Sequence, residues 1–319
     1  MRVSVVIPTL NAGALFKEVL ESVRSQEFDG ELELVIVDSM SDDRTAELAK
    51  KYADVFFQVK REEFNHGETR NIAISRSSGE LIALLVQDAT PANKSWLKNL
   101  IKNFSDEKVA GAYSRQIPRP NCNPLIKLRL SGWGAGKSER RVQELANPEE
   151  LKNLSPQQII STFSFDNVSS MIRRSVWEKI KFPKRRFAED IAWAKQVLLE
   201  GYKIVFEPES VVIHSHNKSL WYEFKRVYLD HYNWWEIGGF RIFNRPSEVL
   251  GASIDGTRKA ISALKKMNLS PVEFFRWAIY APAFVFSQNL AQYMGAWAER
   301  WKEKYPNYDK IDKLLSKGV

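Results

Sequence analysis

The residues best placed for chemistry stand at the ends of apolar runs. Asp88, with Gln87 before it and Ala89-Thr90-Pro91 after it, closes the run that begins at Leu81. Two of the four histidines fall together as His214-Ser215-His216, just past Val211-Val212-Ile213. A carboxylate with an imidazole partner is a donor set for a divalent cation. Oxygen suits Mg²⁺ or Mn²⁺, and imidazole shifts the preference towards Mn²⁺. Reactions at a diphosphate generally need such a cation to offset charge on the leaving group. The plainer reading of the same residues is a surface histidine pair with no ligand.

Other polar residues recur at equivalent places. Pro8-Thr9 ends the run that starts at Val3, and Asp38-Ser39 ends Leu32 to Val37. In open α/β sheets, ligands bind beyond the carboxyl ends of the strands. A carboxylate there could accept the N3–H of a uracil or thymine ring. Ser41 and Asp42 read instead as helix caps. Glu189-Asp190 opens a helix, where a carboxylate serves the helix dipole or acts as a general base. His66-Gly67-Glu68-Thr69-Arg70-Asn71 starts another helix, whose free N–H groups could hold phosphate with help from Arg70. In the duller alternative Gly67 only permits a tight turn. Gly132 to Ser138 imitates a phosphate-binding loop, but Ser131 stands where its first glycine should be. Lys127 and Arg129 also spoil the strand that should precede it, so an ATPase is excluded. No GxGxxG follows the first apolar run, which counts against a nicotinamide dehydrogenase.

These residues need a frame to hold them. Val3–Pro8, Leu32–Val37, Val55–Val59 and Leu81–Val86 read as buried parallel strands. Between them, Asn11–Gln26, Ser41–Ala53 and Glu68–Ser75 read as helices, with Leu15, Val19, Leu20 and Val23 on the inner face of the first. That order implies an α/β, doubly wound sheet flanked by helices. Further strands are expected at Tyr113–Gln116, Asn167–Ile172, Lys203–Phe206 and Val211–Ile213, with a helix over Asp190–Leu199. Residues 1–216 form the expected catalytic domain, with a nucleotide-binding half (1–90) and a second half (91–216). Residues 217–319 form a mainly helical, aromatic C-terminal section.

Composition narrows the partners. The net charge of +8 invites a nucleic-acid reading, but its distribution argues against one. From Asn217 onwards there are 16 Lys plus Arg against 10 Asp plus Glu, so most of the excess lies there, among six of the ten tryptophans. Basic residues mixed with Trp suit an anionic lipid surface. A Trp-rich helical core with a solvated basic face is the plainer alternative. Cys122 is the only cysteine, so no intrachain disulfide can form and a reducing compartment is expected. The first apolar run is too short for a signal peptide, and none approaches the roughly 18 to 20 residues of a spanning helix. A cytoplasmic protein is expected, peripheral at the inner face of the plasma membrane.

Taken in order, Val3 to Asn11, Asp38, Arg70-Asn71, Gln87-Asp88-Ala89, Ala188-Glu189-Asp190 and His-Ser-His resemble family-2 glycosyltransferases with the GT-A fold. Phe64 to Asn71, Gln87-Asp88-Ala89 and Asn167 to Arg174 look most like bacterial rhamnosyltransferases of polysaccharide assembly. The resemblance implies a mixed sheet of GT-A type, a divalent metal and a nucleotide-diphosphate sugar as donor. It implies inverting transfer of a sugar, L-rhamnose from dTDP-rhamnose, to a hydroxyl of a saccharide or lipid-linked saccharide. Pro8, Thr9, Asn11, Asp38 and Ser39 would surround the nucleoside, with Arg70 and Gln87 near the diphosphate. Asp88 would hold the cation with His214 or His216, and Asp190 would be the base. Where a typical member carries two or three Asp at the metal motif, this chain has one, flanked by Gln87 and Ala89. The same fold with a UDP-hexose donor, or a non-catalytic, membrane-associated saccharide- or nucleotide-binding protein, are the competing readings.

Overall fold

The computed structural model describes residues 1–318. They form two compact units. The first comprises Met1–Arg119, Gly132–Leu154 and Ser161–Ser215, and the second Pro120–Ser131, Ser155–Ile160 and the chain from His216 onwards.

The first unit begins with β1 (Arg2–Thr9), α1 (Phe16–Arg24), β2 (Glu31–Asp38), α2 (Thr45–Tyr52), β3 (Val55–Gln58), α3 (His66–Ser75) and β4 (Leu81–Leu85). Then come β5 (Thr90–Pro91), α4 (Trp96–Ile101), β6 (Val109–Ile117), α5 (Pro124–Gly132, almost wholly of the second unit), β7 (Arg141–Gln143), α6 (Pro156–Phe163, which begins in the second unit) and β8 (Ser169–Arg173). The short α7 (Arg174–Trp177), α8 (Glu189–Leu199) and β9 (Lys203–Ile213) complete this part. The strands form one sheet in the order β3-β2-β1-β4-β8-β6-β9-β5, with β7 beside β9. β3, β2, β1 and β4 are parallel, whereas β8 runs antiparallel between β4 and β6. This is the mixed sheet flanked by helices that the sequence implies. Strands β1 and β4 are continuously apolar because helices cover both faces of the sheet, and Val3, Val5, Ile7 and Ala83 are fully buried.

Of the boundaries that differ from those expected, three have a clear local reason. α1 starts at Phe16 rather than Asn11, because Asn11 and Gly13 hold positive φ of 46° and 70°, which no helix tolerates. Phe16, not the exposed Leu15, therefore fills the core. α2 starts at Thr45 rather than Ser41, since Ser41, Asp42 and Asp43 are bonded to the β1–α1 loop. Lys203–Phe206 and Val211–Ile213 belong to one strand. Its pairing with β6 jumps from Ser114↔Glu207 to Arg115↔Val211, so Pro208-Glu209-Ser210 bulge out of the ladder.

The second unit is built on α9 (Leu220–Gly238), α10 (Pro246–Leu264), α11 (Pro271–Lys304) and α12 (Tyr308–Ser316). α9 and α11 cross closely at Gly295, where a Cβ would lie 2.1 Å from the Tyr228 carbonyl oxygen. Cys122, Leu125 and Ile126 of the α5 region pack with Leu264, Ala281 and Phe284 in a separate apolar core. α12 is held by the Tyr228 hydroxyl, which donates to Asp312 Oδ1 at 2.7 Å, and by Lys302 at 3.1 Å from Asp312 Oδ2. No helix among the described residues is long and apolar enough to cross a membrane.

Candidate active site

The carboxyl ends of β1, β2 and β4 are tied together by side chains. Asp38, at the end of β2, is fully buried and accepts from the hydroxyls of Thr9 and Ser41, from the Ser41 amide and from Gln58 Nε2. Burial alone would raise its pKa, but the hydrogen bonds from Ser41, Gln58 and Thr9 outweigh that and hold it below the usual carboxylate range. Those four bonds use the lone-pair sites of the carboxylate. Asn11 receives support from the next loop. Its amide donates to Ser41 Oγ at 2.9 Å, and its Oδ1 accepts from the Asp42 amide at 2.8 Å. Gln87 clamps the loop after β1 from the other side, accepting from the Leu10 amide at 2.7 Å and donating to the Leu10 carbonyl at 3.1 Å. Pro8, Thr9, Asn11, Asp38, Ser39 and Gln87 are thus brought together in one loop cluster. Within it the buried Ser39 hydroxyl has no hydrogen-bond partner among the described residues. A buried polar atom left in this state is uncommon and marks a place for a ligand or water.

Asp88 lies between β4 and β5, and its carbonyl accepts from Arg119 Nη2 at 2.7 Å. Its Oδ1 is 3.6 Å from His214 Nε2. His216 follows two residues later, and ligand atoms of Asp88, His214 and His216 lie within 4.8 Å of one another. The orientation of His214 is set from behind. Gln116 Nε2 donates to Asp166 Oδ2, so Gln116 Oε1 faces His214 Nδ1, at 2.9 Å. With Nδ1 donating to Gln116, Nε2 is the ring nitrogen turned towards Asp88. Histidines that bind metals are oriented in this way, by a hydrogen bond from the other ring nitrogen. One carboxylate and two imidazoles fit a Mn²⁺-like ion.

A second cluster joins the start of α3 to the start of α8. Asn65 caps α3, its Oδ1 accepting from the amides of Gly67 and Glu68. Arg70 pairs with Glu189 at 2.7 Å, both side chains being buried, and Asn167 Nδ2 donates to the same oxygen at 3.2 Å. Burial would raise the Glu189 pKa, but Arg70 and His66 outweigh it and keep the carboxyl low. Burial also pushes His66 below the ordinary histidine value, opposed by Glu189 and reinforced by Arg70. Asp190 is the opposite case. Its oxygens accept only from the amides of Asn167, at 3.1 Å, and Ile191, at 2.8 Å, among the hydrogen bonds assigned to it. Burial, the Glu189 charge and the Asp166 charge push its pKa well above the usual range. Ala188, just before this pair, adopts a left-handed φ of 59°, a conformation rare outside glycine and frequent at functional turns.

Asp166, Gln116 and Asn167 carry much of this geometry. Asp166 raises Asp190 and also anchors Gln116, so a single buried acid links the candidate base to the Asp88–His214 pair. Gln116 ends β6, and the strand-end reasoning that singled out Asp38 and Asp88 would also have found it.

With this geometry in view, comparison with known proteins is decisive. Residues 4–180 match Glycosyl transferase family 2. The chain belongs to glycosyl transferase family 2. It is 34% identical over 233 residues to the O-antigen chain rhamnosyltransferase RfbN of Salmonella typhimurium, covering 72% of this chain and 71% of that one. It is likewise 34% identical to the O-antigen chain rhamnosyltransferase WbaN of Salmonella anatum, over 70% of each chain. The structure of the mannosyltransferase PcManGT from Pyrobaculum calidifontis, in complex with GDP-Man and Mn²⁺, superposes with a TM-score of 0.54 at 17% identity. It covers 98% of this chain and 84% of that one. That likeness shows the GT-A fold. This family-2 member is a nucleotide-sugar-dependent glycosyltransferase related to O-antigen rhamnosyltransferases.

Proposed function

We propose that the chain transfers L-rhamnose from dTDP-rhamnose, with inversion, to a hydroxyl of a lipid-linked saccharide during cell-surface polysaccharide synthesis at the cytoplasmic side of the membrane. Residues 1–216 carry the reaction, and the helical section from 217 serves the acceptor side. The observation that carries this reading is the connection Asp190–Asp166–Gln116–His214–Asp88, which runs through the buried Asp166, Gln116 and His214 and joins a carboxyl of raised pKa to a cation-type donor set. The two rhamnosyltransferase relatives support the choice of sugar.

In this mechanism the loop cluster at Pro8, Thr9, Asn11, Asp38 and Ser39 holds the nucleoside. The Ser39 hydroxyl is available to it at once, whereas Asp38 can take a base N3–H only if Ser41 or Gln58 gives way. Asp88, His214 and His216 would hold a divalent cation, which offsets the charge of the diphosphate. Asp190 accepts the proton of the acceptor hydroxyl as that oxygen bonds to C1 of the sugar. The bond from C1 to the phosphate oxygen breaks on the opposite face, and the nucleoside diphosphate leaves with the electron pair. For Arg70 to reach the diphosphate it would have to abandon a buried Glu189, at a cost of several kcal/mol. Its role is therefore to hold Glu189 and, through it, the start of α8.

The test is to supply purified protein and an acceptor saccharide with dTDP-rhamnose, UDP-glucose or GDP-mannose and to measure release of nucleoside diphosphate. Turnover of dTDP-rhamnose at least tenfold above the others is expected. Preference for UDP-glucose would overturn the donor and leave the mechanism. Absence of turnover with every donor and acceptor, despite nucleotide binding, would favour a non-catalytic binding protein.

A further inference from the structure

Helix α11 buries only part of its circumference within the second unit. Val272, Phe275 and Ile279 are 78%, 64% and 79% exposed, and Phe286 is 40% exposed. Pro282 and Ala283 are exposed as well, so these six positions recur at helical spacing and form one apolar stripe. Single exposed apolar residues are ordinary, but a contiguous stripe marks a surface that something covers. Beside it lies a groove of about 850 Å³, lined by Lys127, Lys218, Arg276 and Trp277 and shared with the stripe through Ile279 and Ala283. Lys127 donates only to the Pro120 carbonyl, at 2.8 Å, and none of the three cations is in an ion pair among the described residues. The single acid lining the groove, Glu273, is taken up by Ser270 in the cap of α11. Arg276 acts on Glu273, so the groove carries three cations against one carboxylate, and an apolar stripe bordered by that excess of positive charge is complementary to an anionic bilayer.

We propose that this face of α11 docks on an anionic phospholipid bilayer, with the stripe at the headgroup–acyl boundary and Lys127, Lys218 and Arg276 on headgroup phosphates. The assignment rests, for its purpose, on the reading of the acceptor as lipid-linked. Its test needs neither donor nor acceptor. The full chain is sedimented with vesicles of phosphatidylcholine alone and of phosphatidylcholine with phosphatidylglycerol, alongside Ile279→Asp and the double variant Lys218→Glu/Arg276→Glu. Thermal melts verify that each variant folds, and dTDP binding is measured in parallel. Binding to the anionic vesicles at least tenfold stronger than to the neutral ones is expected, weakening as salt rises. Each variant should lose fivefold or more of it with dTDP binding unchanged. Absence of vesicle binding, equal binding to both compositions, or binding unaffected by either variant would overturn the proposal. So would a dimer, seen by light scattering, that Ile279→Asp dissociates while vesicles are ignored, because the stripe would then be covered by a second copy. Loss of dTDP binding with vesicle binding intact would count against the proposed function alone.

Discussion

Asp190 is half-buried and yet has to carry a charge, and the two demands conflict. Its carboxyl is pushed up by burial and by Glu189 and Asp166, so it is protonated to a higher pH than an ordinary aspartate. As a base it works only when ionised. The acid limb of kcat/KM should therefore lie above the usual carboxylate value of about 4. Asp190→Asn should lower kcat by roughly 10² to 10⁴ with nucleotide affinity retained, as measured by steady-state kinetics and titration. Stability should move the other way. A carboxyl whose folded pKa is raised contributes fully below its unfolded pKa and loses that contribution as pH rises through the folded value. Asn has no charge to bury, so the variant should melt higher than wild type at neutral pH and level with it near pH 3. A second residue-scale prediction concerns Gln116, which touches His214 but not the cation. Gln116→Ala should weaken Mn²⁺ affinity by about 10- to 100-fold while leaving the melting temperature within a few degrees.

At the scale of elements, the α3–α8 junction positions Asp190, the proposed base, and depends on close backbone approach. A Cβ on Gly67 would meet the Pro183 carbonyl oxygen at 2.3 Å and the Glu189 side chain at 3.4 Å. Gly67→Ala should therefore cost about 1 to 3 kcal/mol in chemical denaturation and lower kcat, because relief of the clash moves the start of α8. The plain reading of Gly67 as a turn residue misses this. Its need comes from a segment more than a hundred positions away, which no local pattern reveals. The strands of the first half are legible because burial on both faces makes them continuously apolar. Asp38 and Asp88 are legible because strand ends are where such folds bind ligands. The pairing of Arg70 with the buried Glu189 is not legible in the sequence, where a basic residue near a helix start simply looks available for phosphate. The start of α2 is obscured for a similar reason, with its apparent caps bonded to another loop.

Across the whole molecule, the residues proposed for nucleotide, cation and base all gather at the carboxyl edge of one sheet. The antiparallel insertion of β8 between β4 and β6 brings Asp166 and Asn167, at the start of β8, into that arrangement. Asp88 and His214 are proposed to complete a cation site that nucleotide binding requires. This central proposal is tested most directly by calorimetric titration of dTDP, with UDP and GDP for comparison, in Mn²⁺ and in chelator, for wild type and Asp88→Ala. The expected result is dTDP binding in Mn²⁺ that weakens at least tenfold in chelator and to the same extent in the variant. Equally tight dTDP binding in chelator and in Asp88→Ala would contradict it.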